Sequence, residues 1–190
     1  MKNKWQLKDF VFAGIAGALV FSIVFLLGSG IIMATGIPAT GGIINIFAAV
    51  LLMTISVRMV PKFGFATLAM AITFSIAIPT IVGGPAGAYK PIIGFLLGLI
   101  FDTIVTVMKR TTVSYILGGA LASATSLTAI FFAMQILELP GVEKLQPLLK
   151  FLIPIQALNG ALGAWAGNAI FRKRLENLPA VKKLMNNVSH

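Results

Sequence analysis

Side chains able to do chemistry are scarce in this chain. There is no cysteine, and the one histidine is the last residue, His190. Thiolate nucleophiles, thiolate metal sites and disulfides are therefore excluded, and neither a histidine base nor a histidine metal ligand is expected. Of the acids only Asp102 falls well inside an apolar run, so an aspartate dyad has no second member. A phosphate loop of the G-x-x-x-x-G-K-[ST] type is absent. The chain reads as a protein that is not an enzyme and needs no metal or cofactor of its own.

The polar groups that remain fit recognition better than catalysis. Residues 83–90 read GGPAGAYK. Glycines such as Gly84 let backbone N–H groups approach a ligand closely. Lys90 would favour a carboxylate, a phosphate or a polar carbonyl, and Tyr89 could stack on a flat ring. An equal reading makes Tyr89 and Lys90 an interfacial anchor, since aromatic and basic residues gather at the headgroup level. Gln135, Gln156, Asn159 and Asn45 lie toward the same ends of their apolar runs as this loop. Gln156 and Asn159 are three apart and share a helical face. Amides in such surroundings need partners, in a neighbouring helix or in a ligand. Asp102 too has two readings: bonding to Thr103, Thr106, a neighbouring helix or the interface, or a proton- or sodium-coupling site.

The elements that would position these groups are membrane helices. Hydrophobic residues make up 58% of the 190 and charged residues 11%, less than half the roughly 25% of soluble domains; the mean hydropathy is +0.98. Six segments approach the about 20 apolar residues that span a bilayer: 9–30, 41–60, 63–83, 89–108, 112–137 and 149–171. The first is longer than the 7–15 apolar residues of a signal core, so it is read as a retained helix. The expected fold is all-α: one membrane domain over 1–190, a bundle of six transmembrane helices, with a basic tail at 172–190 near anionic lipid. No internal repeat is evident.

Charge placement sets the orientation. Six spans put Lys2, Lys4, Lys8, Arg58, Lys62, Lys109, Arg110, Arg172, Lys173, Arg174, Lys182 and Lys183 on one side, and Lys90, Lys144 and Lys150 on the other. The positive-inside rule makes the first side, and both termini, cytoplasmic. The net charge of +10 is thus assigned to membrane anchoring in the cell (plasma) membrane, and no nucleic acid partner is expected. Three stretches then face outward: 28–42, the loop ending at Lys90, and 138–150. Beneath them an apolar pocket with a few placed amides is expected. Small-xxx-small pairs recur at Ala13/Gly17, Gly14/Ala18, Gly94/Gly98, Gly118/Ala122 and Gly163/Gly167, where helix backbones can approach closely.

This pattern resembles the substrate-binding (S) components of energy-coupling factor (ECF) vitamin transporters, ABC-type systems powered by partner ATPases. The resemblance rests on the size, the six basic-ended spans, the K-D-F-V-F-A-G-I-A-G-A start of the first helix, and G-G-P-A-G-A-Y-K followed by I-I-G-F-L-L-G-L-I-F-D. It implies that a vitamin or micronutrient is bound from outside between the outer loops and helices four to six, with Gly84, Tyr89, Lys90, Gln135, Gln156 and Asn159 as candidates. It also implies that Ala13, Gly14, Gly17 and Ala18 dock on a transmembrane coupling subunit, that two ATPase subunits hydrolyse the ATP, and that toppling in the membrane carries the site inward. Gly stands for one Ala in each docking pair. The alternative is a self-sufficient ion-coupled carrier or channel built around Asp102.

Overall fold

The computed structural model describes residues 5–35, 38–82, 84–139, 142–179 and 181–182. Among them the chain is all-helical: α1 Leu7–Thr35, α2 Pro38–Met59, α3 Phe65–Ile76, α4 Lys90–Val107, α5 Thr112–Ile136, a single turn α6 Val142–Leu145, and α7 Leu149–Ile170, which runs on into a π turn at Phe171–Leu175. Four of these helical stretches are long and apolar enough to cross a membrane; α3 and the apolar part of α2 are shorter. Large apolar side chains cover the outward faces, among them Ile15, Leu26, Ile92, Phe151, Leu158 and Trp165. Such a surface suits lipid and would be a liability in water.

Two expected boundaries differ. The stretch 28–42 is not an outer loop, because α1 continues to Thr35 and α2 begins at Pro38. The segment 63–83 is not a full-length helix. After Ile76 the chain passes through successive turns up to α4. Pro79 lies in these turns, and proline lacks the N–H that helix continuation needs.

Local signals account for the other ends. The Gln6 N–H donates to Asp9 Oδ2 at 2.7 Å, half of a capping box. The Thr111 hydroxyl accepts from the Ser114 N–H at 3.2 Å and opens α5. Lys109, Arg110 and Glu138 adopt positive φ just beyond α4 and α5. There the Arg110 N–H reaches back to Val105 O and the Leu139 N–H to Met134 O, the six-to-one bond of a Schellman ending. Gly64, at φ 88°, turns the chain into α3.

The polar bonds at one end of the bundle fix the directions of the helices. Asp9 at the start of α1 pairs with Lys62 between α2 and α3, Nζ to Oδ2 at 2.6 Å, with both side chains buried. Arg58 near the end of α2 donates to Asn168 Oδ1 near the end of α7, and the Asn168 amide donates to Thr112 Oγ1 at the start of α5 at 3.3 Å. The Arg58 guanidinium also lies over the rings of Tyr115 and Phe171, 5.4 and 4.9 Å from their centroids, where ring quadrupoles attract a cation. The starts of α1, α3 and α5 therefore meet the ends of α2, α4 and α7, so the long helices alternate in direction.

Glycine seams hold the interior together. A β-carbon on Gly94 would lie 2.5 Å from Met70 O, and one on Gly98 2.5 Å from Ala66 O, so α4 rests directly on the backbone of α3. Gly163 and Gly167 seat α7 equally closely on Phe47 O and Leu51 O of α2. Gly119 faces Gly160 where α5 crosses α7. The small residues of α1 divide between two faces, which corrects the expectation that all four dock on a partner. Ala13 is fully buried, and a β-carbon on Gly17 would lie 2.6 Å from Ala69 O of α3. Beside Gly14 a β-carbon would meet nothing within 4 Å, and Ala18 is exposed. Helix periodicity puts the two pairs about 100° apart. Gly17→Leu is thus expected to abolish accumulation of folded protein, and Gly14→Leu to leave it at wild-type level. Size-exclusion chromatography of the two variants in detergent checks this.

Candidate functional site

A cavity of about 610 Å³ lies at the end of the bundle away from the Arg58 network, within the 300–1,000 Å³ of small-molecule sites. Its walls come from seven helices and the turn between α3 and α4. Gly28 and Ser29 of α1, Asn45 and Ile46 of α2, and Met70, Thr73 and Phe74 of α3 form one side. Leu97 of α4, Ser126, Ile130 and Met134 of α5, and Gln156 of α7 form the other. Leu145 of the short α6 and the turn residues Ala77, Ile81, Val82, Gly84 and Pro85 complete it. None of the described lining residues is ionisable.

The turn that walls the cavity is held by α4. Lys90 is 0% exposed, and its Nζ donates to Ala77 O at 3.0 Å, Val82 O at 2.9 Å, and Thr80 O. An ammonium has three donors, and all three are used. The charge also sits where the α3 dipole is negative, just past its C-terminus. At the other end of α3, Asp102 Oδ2 accepts from the Thr67 N–H at 2.9 Å and the Thr67 hydroxyl at 2.8 Å. That carboxylate caps the positive end of α3. The 12 residues of α3 span about 18 Å, and Lys90 and Asp102, twelve apart on α4, bracket that length from the antiparallel neighbour. Gly94 and Gly98 lie between them.

Tyr89 secures the same turn. Its hydroxyl donates to Pro85 O at 2.6 Å, and its ring edge sits where a β-carbon on Gly87 would be. Gly84 has φ 107°, a conformation that L side chains rarely adopt. A β-carbon there would also press on Ile130 and the Tyr89 hydroxyl.

Four of the six substrate candidates therefore fall outside the cavity lining. Gly84 and Gln156 line it; Tyr89, Lys90, Gln135 and Asn159 do not. Lys90 and Tyr89 act on the turn, because their donors are spent on its carbonyls. The expectation of an anionic or carbonyl-bearing ligand drawn to Lys90 loses its basis. Gln135 is exposed, one residue and about 100° past the cavity-facing Met134. Asn159 is half-buried, turned about 60° from Gln156 by the three-residue spacing. Asn45, legible in the sequence as an outer-end amide, joins the lining through contact with Gly28. Ser29, Thr73 and Ser126 gave no sequence signal that separates them from other small hydroxyls of the helices.

Two lining amides have unused capacity. Asn45 Oδ1 and Gln156 Oε1 are buried, and neither has a hydrogen-bond partner among the described residues. Two of the lining hydroxyls are engaged: Thr73 donates to Gly17 O and Ala69 O, and Ser126 to Ser123 O.

The chain was compared with protein-family models, with curated proteins and with solved structures, and none of them matches it.

Replacing Lys90 by Met would take the Lys90 partner from Thr80 O and Val82 O, whereas Ala77 O keeps its bonds from the Thr80 N–H and hydroxyl. Lys90→Met should cost about 2–4 kcal/mol, given roughly 1.5–3 kcal/mol for a hydrogen bond to a charged group and incomplete local relaxation. Thermal unfolding in detergent measures this, and wild-type stability would dismiss the clamp.

Proposed function

We propose that this protein captures a vitamin or related micronutrient in the cavity and delivers it as the substrate-binding component of an ECF-type transporter. The observation that carries the reading is the uncharged, mainly apolar cavity beneath a turn that has its own dedicated support. Cavities of this size with a few placed polar groups suit small molecules. In this proposal the bundle has six spans in the plasma membrane, with α3 and its turn together serving as the third. Its charged end faces the cytoplasm, as do both termini, and the cavity faces outward.

Energy would come from elsewhere. An ion-coupled carrier would need ionisable groups free to change partners. Asp102 instead serves the N-terminus of α3 through two bonds from Thr67. The proposal therefore assigns ATP hydrolysis to two ATPase subunits and their coupling to a transmembrane partner. On α1 the docking face reduces to Gly14 and Ala18, beside the exposed Val11 and Ile15. Small residues there would let a partner helix approach closely.

The test is uptake in proteoliposomes of a compound first identified, by mass spectrometry, as retained by the purified protein. Uptake should require ATP and the partner subunits. Gly14→Leu should keep binding and lose at least nine-tenths of uptake. Uptake by the chain alone, driven by an ion gradient and lost in Asp102→Asn, would reject the proposal in favour of a carrier.

A further inference from the structure

The geometry points to an uncharged, largely apolar ligand that donates hydrogen bonds to Asn45 Oδ1 and Gln156 Oε1. This rests on the reading of the cavity as a solute site, and it adds the chemical class of the solute.

Charge is the first constraint. The described lining holds no acid and no base. The two charged residues of the adjoining α4, Lys90 and Asp102, are both committed to backbone groups of α3 and its turn. An ion entering this cavity would give up water for a mainly apolar wall without a counter-charge, and that desolvation would go uncompensated. A neutral molecule avoids that cost and gains from apolar burial.

Hydrogen-bond capacity is the second constraint. Buried polar atoms are nearly always partnered, and one left without a partner is destabilising. Asn45 on α2 and Gln156 on α7 each present a buried carbonyl oxygen in that state, and both lie on the wall of one cavity. Thr73 and Ser126 on the same wall bond within their own or adjacent helices. Among the buried lining atoms of the described residues the unmet capacity is confined to the two amides, and it calls for N–H or O–H donors on the ligand. Two buried amide oxygens left open in a mainly apolar wall are expected where a donor-bearing solute completes them.

An isosteric trio tests this: 2-naphthamide, neutral with two N–H donors; 2-naphthoate, an anion without donors; and 2-naphthamidine, a cation with donors. Thermal unfolding and calorimetric titration are run on the full chain in detergent at pH 7. The amide should raise the unfolding temperature, and the two ions should not. Asn45→Leu and Gln156→Leu should each weaken amide binding tenfold or more. Without probe they should unfold at or above the wild-type temperature, because an unpaired polar atom has been removed. Asn45→Ala and Gln156→Met serve if a leucine variant does not fold. Equal or greater stabilisation by either ion overturns the assignment. So does the absence of any shift with the amide at millimolar concentration. Lower unfolding temperatures in all the folded amide variants would make Asn45 and Gln156 structural and overturn it too. None of these outcomes depends on ATP or partner subunits. Failure of the transport proposal would appear instead as absent ATP-dependent uptake with probe binding intact.

Discussion

The structure depends on a short helix held at both ends by one neighbour. With 12 residues, α3 cannot cross a bilayer, for which about 20 apolar residues are needed. It leaves its terminal backbone groups inside the bundle, where they need partners. α4 supplies those partners: the Asp102 carboxylate at the N-terminal end and the Lys90 ammonium just beyond the C-terminal end. Each charge meets the matching end of the α3 dipole. Each is also made tolerable by the bonds it receives or gives, since a buried charge without them would be expensive. Gly94 and Gly98 let the two backbones come close enough for both contacts to form at once.

That clamp has a consequence for the cavity. Because α3 stops early, the chain between it and α4 is free to fold as a turn over the end of the bundle opposite the Arg58 network. Lys90 and Tyr89 then hold the turn in one shape, and Ile81, Val82, Gly84 and Pro85 become wall. The two ends of the bundle consequently differ in kind. One carries the Asp9–Lys62 pair and the Arg58–Asn168–Thr112 network. The other carries a pocket in which every described lining group is uncharged.

Much of the architecture was legible in the sequence. The spans expected at 89–108, 112–137 and 149–171 match α4, α5 and α7 to within a residue or two at each end, because apolar length and the basic or Pro/Gly breaks report them directly. The end of α3 was not legible, since residues 77–82 are as apolar as a helix and only Pro79 interrupts them. The roles of Lys90 and Asp102 were harder still. Each looked like an isolated charge, and their partners, Thr67 at the start of α3 and the carbonyls of the turn after it, are ones composition does not display. The small-residue stripe on α1 illustrates a related limit. Ala13/Gly17 and Gly14/Ala18 have the same spacing, and only the position of α3 makes one pair internal and leaves the other outward. In the cavity, the amides were visible as a class. Which of them face inward is a matter of helix rotation, and this selects Asn45 and Gln156 over Gln135 and Asn159.

The central claim is that two charges of α4 hold α3 and shape the cavity turn, and hydrogen–deuterium exchange read by mass spectrometry tests it most directly. Asp102→Ala should speed exchange of the amides at 65–68, and Lys90→Met those at 77–87, while α2, α5 and α7 keep their wild-type protection. Exchange unchanged in both segments, or raised evenly over the whole bundle in both variants, would contradict it.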